Sequence, residues 1–228
     1  MHLLQFLQKK GFSRRKILDS LLKELVFLNG QKIKNLKENL KVGDRVQYLE
    51  SEFLVEKQDE SEDNQILILF NKPKGVVVSK NDSHNKTIYE LLPKEFQNFY
   101  YIWRLDRESR GLLLLTNSSK LVHQYEHPRF WITKTYIVLL STEISSFDLQ
   151  QMKKGIVDEW EKLSFLDIFS LGGGYYQILL NEGKKRHIRR VIKKLGYHLL
   201  DLQRIQEGIW KLWSIEEWKR KKIKISWN

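Results

Sequence analysis

Apolar residues recur in short periodic groups along the whole chain, separated by polar turns. Near the start, Leu3, Leu4, Phe6 and Leu7 mark a short helix that Gly11 can end. Ser13 is a good N-cap for a second helix, in which Ile17, Leu18, Leu21, Leu22 and Leu25 form one apolar face. Val26-Phe27-Leu28 and Ile33 flank Asn29-Gly30, a hairpin signal, and residues 42–48 add a strand opened by Gly43-Asp44. Residues 58–64 then contain no apolar side chain and cannot join a core, so a domain boundary is expected near residue 60. An acidic surface loop within one domain is the alternative.

Beyond that boundary the pattern predicts strands over 66–70, 76–78, 112–116, 135–140 and 175–180, with Pro73 and Gly75 forming a turn between the first two. Helices are predicted over 86–92, 120–125, 147–153 and 187–195. The fold class expected is α+β: a small helix-hairpin domain over 1–58, an acidic linker over 59–65, and a mixed domain with a mostly antiparallel sheet over 66–228.

Composition narrows the partners. Forty Lys and Arg oppose 28 Asp and Glu among 228 residues, a formal charge of +12, which favours a polyanion such as nucleic acid. Residues 1–50 hold 11 basic and 5 acidic side chains, whereas 51–65 hold 1 and 6. A hydrophobic fraction of 41% with 12% aromatics is that of a folded chain. Without Cys there are no disulfides, thiolate nucleophiles or Cys-ligated metals. No apolar run reaches bilayer length, and charge follows the first apolar patch instead of preceding it, so no membrane association and a cytoplasmic location are expected.

Two segments suggest chemistry. Arg14, Arg15 and Lys16 crowd the first turn of a helix, opposing its dipole, which points to an external anion such as phosphate; a solvated charged face is the plain alternative. In Trp103-Arg104-Leu105-Asp106-Arg107-Glu108-Ser109-Arg110-Gly111, the loop residue Asp106 is flanked by Arg104, Arg107 and Arg110. Nearby positive charge would keep its carboxylate ionised and able to act as nucleophile or base. The alternative is a turn Asp capping a backbone amide.

The order Phe12-Ser13-Arg14-Arg15, Leu28-Asn29-Gly30, Val42-Gly43-Asp44-Arg45-Val46 resembles the small RNA-binding domain named after ribosomal protein S-four. Four later blocks follow: Asn71-Lys72-Pro73-Lys74-Gly75; Arg104-Leu105-Asp106 with Gly111 to Asn117; Lys134-Thr135-Tyr136; and Glu182-Gly183-Lys184-Lys185-Arg186-His187-Ile188-Arg189-Arg190. Together they resemble the RsuA-type ribosomal RNA pseudouridine synthases. The resemblance implies isomerisation of an rRNA uridine to pseudouridine without cofactor or metal, on a nucleotide flipped out of the RNA.

On the residues that match, Asp106 is the implied catalytic aspartate, attacking the ribose anomeric carbon or taking part in proton abstraction from the sugar. Tyr136 is implied to pack against the base and carry a proton, and Arg189 to pair with the carboxylate as a bidentate partner. Arg104 is expected to fill the vacated space or grip the backbone. Lys184, Lys185, Arg186 and Arg190 belong to a run of seven cations over 184–194 suited to phosphate. Lys134 joins the RNA-facing set, with Lys72 and Lys74 extending the rim, although turn lysines are ordinarily just solvated. The partner implied is ribosomal RNA, small-subunit before large-subunit, or an assembly particle, met by a monomer. The alternative is an inactive rRNA-binding assembly factor on the same fold.

The chain departs from the family pattern at Trp103, where a small residue is usual, at His187 in place of glutamine, and at Ser118-Ser119 in place of Asp-Gly. The stretch 202–213 is shorter than the family's, which puts the far edge of the sheet in question. His123 and His127 have helical metal-pair spacing without the rest of a zinc motif, and Gly172-Gly173-Gly174 is a hairpin turn rather than a phosphate loop. Trp210, Trp213, Trp218 and Trp227 are expected in core and edge packing.

Overall fold

A computed structural model describes residues 2–55, 65–213 and 215–225. The chain folds as two compact units, Met1–Ser61 and Glu62–Asn228. Most of the expected acidic linker lies outside the described residues, as does Trp227.

In the first unit, helices α1 (Leu3–Lys9) and α2 (Arg14–Leu22) precede strands β1 (Val26–Leu28), β2 (Gln31–Lys32), β3 (Arg45–Tyr48) and β4 (Ser51–Leu54). The sheet order is β2-β1-β3-β4. Ser13 caps α2 by accepting the Lys16 amide at 3.3 Å. Asn29 and Gly30 both take positive φ, 51° and 80°, the backbone that a tight β1–β2 hairpin requires. Leu3, Leu7, Ile17, Val26, Val46 and Tyr48 form the core. The expected apolar face of α2 is corrected: Ile17 and Ser20 are buried and Leu21 packs beside them, but Leu18 and Leu25 are exposed and Leu22 is 84% exposed. A helix this short turns only its 17, 20, 21 stripe to the core, and the adjacent stripe stays in water.

The second unit is built on strands β5 (Gln65–Lys72), β6 (Tyr100–Ile102), β7 (Arg110–Thr116), β8 (Lys134–Leu140), β9 (Ile156–Asp158), β10 (Glu161–Leu163), β11 (Asp167–Gly172), β12 (Tyr175–Leu180), β13 (Leu199–Glu207), β14 (Trp210–Lys211) and β15 (Arg220–Ile225). Its helices are α3 (Ser119–Glu126), α4 (Ser146–Lys154) and α5 (His187–Lys194). Nine strands join in one sheet along the path β11-β12-β8-β13-β7-β5-β15, with β14 on β13 and β6 on β7, while β9 and β10 form a separate hairpin. Between strands of the large sheet, β13 and β7 pair in parallel and the other described pairs are antiparallel.

The run Leu112 to Leu115 alternates between two cores. Leu113 and Leu115 join Ile68, Phe70, Val138 and Ile178 on one face, while Leu112 and Leu114 join Leu67 and Leu69 on the other. A strand covered on both sides is apolar at every position, which is why it shows as an unbroken run.

Two expected elements are corrected. Residues 76–78 are buried but make no strand, only an isolated bridge between Val77 and Thr87. Both edges of β5 are already taken by β7 and β15. The helix expected over 86–92 is a single 3₁₀ turn, Ile88–Glu90, with Glu90 reaching back to the Thr87 amide at 2.7 Å and Pro93 restricting continuation. The far edge of the sheet is closed by β15 on β5. Trp210 is partly buried, but Trp213 and Trp218 are exposed, against expectation.

The β7–β13 contact needs Gly111. Its φ is +106°, and a Cβ there would overlap the Arg204 carbonyl. Gly111→Ala is therefore expected to cost about 3 kcal/mol or more, measured by urea unfolding.

Candidate active site

Four parts of the second unit converge on one cavity of about 540 Å³. The loop between β6 and β7 carries Trp103, Arg104 and Asp106, β8 carries Lys134 and Tyr136, the segment leading into α5 carries Arg186 and then Arg189, and β13 carries Arg204.

The Asp106 loop is held from beneath by Lys72. Its ammonium is fully buried and donates to the carbonyls of Pro73 and Ser109, each at 2.8 Å, and of Arg107 at 3.4 Å. Burial lowers this ammonium from 10.5 to about 8. The expectation that Lys72 lies on an RNA-facing rim is corrected, because its ammonium is turned inward onto three carbonyls of the loop and its neighbour. Lys74 is exposed and pairs with Asp201 at 2.6 Å.

Asp106 is partly exposed. Its Oδ2 lies 3.8 Å from Arg186 Nη1 and 3.8 Å from Arg189 Nε. Arg189 also donates through Nη2 to the Glu108 carbonyl at 2.9 Å and to Ser109 Oγ at 3.1 Å, so it braces the loop whose carboxylate it faces. Its approach to Asp106 is through one nitrogen, which corrects the bidentate pairing expected. The flanking arginines do not surround the carboxylate either. Arg107 turns to Glu108 at 3.7 Å, Arg110 pairs with Asp201 at 2.8 Å, and Arg104 is exposed on the cavity lining. The positive charge comes from the region of α5, about eighty residues away in the chain.

Tyr136 lines the same cavity and is almost fully buried. Burial raises its phenol, with Arg204 nearby opposing that shift. Arg204 is itself buried and donates from Nε to the Leu112 carbonyl at 2.7 Å and from Nη2 to the Trp103 carbonyl at 2.8 Å. Its Nη2 also lies 3.2 Å from Glu207 Oε2. Glu207 is fully buried, and burial raises its carboxyl to about 7 despite the attraction of Arg204 and Lys134. Lys134 is corrected from the surface to the interior: its Nζ sits 3.8 Å from the Trp103 ring centre, and burial lowers it to about 8.

Arg204 and Glu207 escaped the sequence reading. The signal available was two charges on inward positions of the otherwise strand-like segment that became β13.

The remaining cations divide by task. Lys185 and Arg186 are exposed beside the cavity and line an adjoining groove with Lys193 and Lys194. Lys184 donates to the Lys162 carbonyl at 2.6 Å and pairs with Glu182 at 3.1 Å. Arg190, expected on RNA, instead clamps the β9–β10 hairpin through Asp158 at 2.6 Å and through Glu161. Arg14 and Arg15 are exposed at the start of α2 in the first unit. His123 and His127 pack their rings edge to face, 5.0 Å apart.

Residues 66–194, more than half of the chain, match the family model described as RNA pseudouridylate synthase. An "uncharacterized RNA pseudouridine synthase" of Borreliella burgdorferi is 29% identical over 225 residues, which cover 97% of this chain and 89% of that protein. The ribosomal large subunit pseudouridine synthase B of Buchnera aphidicola is 28% identical over 214 residues, covering 88% and 84%. A crystal structure of a pseudouridylate synthase superposes with a TM-score of 0.69 at 22% identity over 98% of this chain and 96% of its own, a likeness of fold.

Glu207 gives the site region a stability signature. A carboxyl raised from 4.5 to about 7 binds its proton more tightly in the folded chain, so its contribution is present below pH 4.5 and is lost as pH rises through 7. Urea unfolding is expected to show wild type losing stability relative to Glu207→Gln across that window. Parallel curves would mean that Glu207 stays ionised against Arg204.

Proposed function

Because the chain belongs to the RNA pseudouridylate synthase family, we propose that it converts a uridine of ribosomal RNA to pseudouridine with Asp106 as the nucleophile. The observation that carries this is the Asp106 carboxylate facing Arg186 and Arg189 in a cavity shared with Tyr136. The Buchnera aphidicola relative is named for the large subunit, so large-subunit rRNA is the substrate we favour over the small-subunit expectation.

A uridine within folded RNA hides its glycosidic bond, so the nucleotide is extruded into the cavity at a cost of a few kcal/mol. Asp106 attacks the anomeric carbon as the bond to N1 breaks, the base turns, and C5 bonds to that carbon as the carboxylate departs. Loss of the C5 proton and protonation of N1 complete an isomerisation with no net redox change and no group donor. Arg189 and Arg186 present positive charge to the carboxylate, each 3.8 Å from its Oδ2. Tyr136 packs against the base, and its raised phenol stays protonated, which suits packing and proton donation better than service as a resting base. Arg104, exposed on the cavity lining, occupies the space vacated in the RNA. Lys184, Lys185 and Arg186 engage phosphates beside the target.

The first unit, with its resemblance to the S-four domain, provides a second RNA contact through Arg14 and Arg15, where phosphate offsets the cations crowding the start of α2. The chain acts as a cytoplasmic monomer in this reading.

Pseudouridine mapping of rRNA tests the reaction in cells lacking the gene and in cells restored with wild type or Asp106→Asn. One position is expected to disappear and to return only with wild type. Unchanged rRNA, or restoration by Asp106→Asn, would favour an inactive assembly factor. Lys185→Ala is expected to weaken RNA binding and to reduce the slope of log affinity against log salt by about one in a filter-binding titration.

A further inference from the structure

The cavity that holds Asp106 shares a wall with a smaller one of about 170 Å³. Trp103, Lys134, Glu182, Gly183 and Lys184 line both. The far side of the smaller cavity includes Tyr125, His127 and Ile132, and its volume suits a single ring more than a whole nucleotide.

Trp103 is held in that wall from several sides. Its backbone is left-handed, φ 45°, a conformation that a bulky residue keeps only where its surroundings over-determine it. The Trp103 amide donates to Glu126 Oε1 at 2.8 Å and the indole Nε1 to the Tyr125 carbonyl at 2.7 Å. Gly183 leaves room for the ring, since a Cβ there would overlap it. Lys134 sits over the indole at 3.8 Å, 1% exposed, with no hydrogen-bond acceptor for its ammonium among the described residues. A buried donor without an acceptor, on the lining of two cavities, fits a ligand that brings one.

We propose that Trp103 and Lys134 form a partition that sorts two nucleotides of the substrate RNA. The target uridine enters the larger cavity. The base of an adjoining nucleotide enters the smaller one, packed against Trp103, Tyr125 and His127, and a base carbonyl accepts from Lys134. The enzyme thereby selects its uridine by the neighbour that can be unstacked beside it. This inference rests on the uridine-isomerase reading above.

The test uses the full chain and an RNA fragment carrying the mapped uridine, with each flanking nucleotide replaced in turn by an abasic residue. At one flanking position, loss of the base is expected to lower wild-type kcat/KM about tenfold, chiefly through KM. Trp103→Gly, whose new residue suits the left-handed backbone, is expected to start lower on intact RNA and to lose less than about twofold on the abasic RNA. Gly183→Ala, which displaces the ring while leaving Trp103 in place, is expected to show the same insensitivity and guards against a folding defect in the first variant. Equal abasic losses in all three proteins, or no loss in wild type at any neighbour, would overturn the partition while leaving the isomerase reading intact. A wild type that converts no uridine in the fragment would instead remove the isomerase reading and the partition with it.

Discussion

A guanidinium buried between two strands holds the working end of the sheet together. Arg204 spans the parallel contact between β13 and β7 and donates to carbonyls of Leu112, inside β7, and of Trp103, at the start of the Asp106 loop. Removing one partner of a buried charged contact typically costs about 3–5 kcal/mol, because the groups left behind have no water to turn to. The close approach also dictates a residue without a side chain at Gly111. One side chain thus ties the start of the Asp106 loop to both β7 and β13, beside the cavity that Tyr136 lines.

That dependence explains what could be seen in the chain without its fold. The central strands and α3, α4 and α5 were legible because their apolar residues carry the pattern unaided. β13 was not, since its inward positions include Arg204 and Glu207, charges three residues apart on the same strand that pair with each other and break the alternation. The strands β9, β10 and β15 are short or rich in lysine and glutamate, and they pair through backbone groups more than through apolar faces. Among the site residues, Asp106, Tyr136 and Arg189 were marked by motif resemblance, and they line one cavity. Burial was the illegible part. Lys72 and Lys134 look like surface lysines in a basic protein, and only the carbonyls and indole that surround them distinguish them.

The net charge of +12 therefore overstates the surface offered to RNA. Arg204 and Lys72 hold carbonyls, and Arg110 and Arg190 hold carboxylates of the same unit. The exposed cations Lys185, Arg186, Lys193 and Lys194 form a narrower band beside the cavity. That band reaches the Asp106 carboxylate through Arg186, 3.8 Å away.

The ammonium beneath the Asp106 loop has a further consequence. Lys72 gathers three carbonyls on the far side of the loop from solvent, and Arg189 gathers two more groups from α5. The conformational entropy of that loop is lost when the chain folds, before any substrate binds. A substrate then meets a loop already ordered, and the free energy of each encounter is not drawn on to order it.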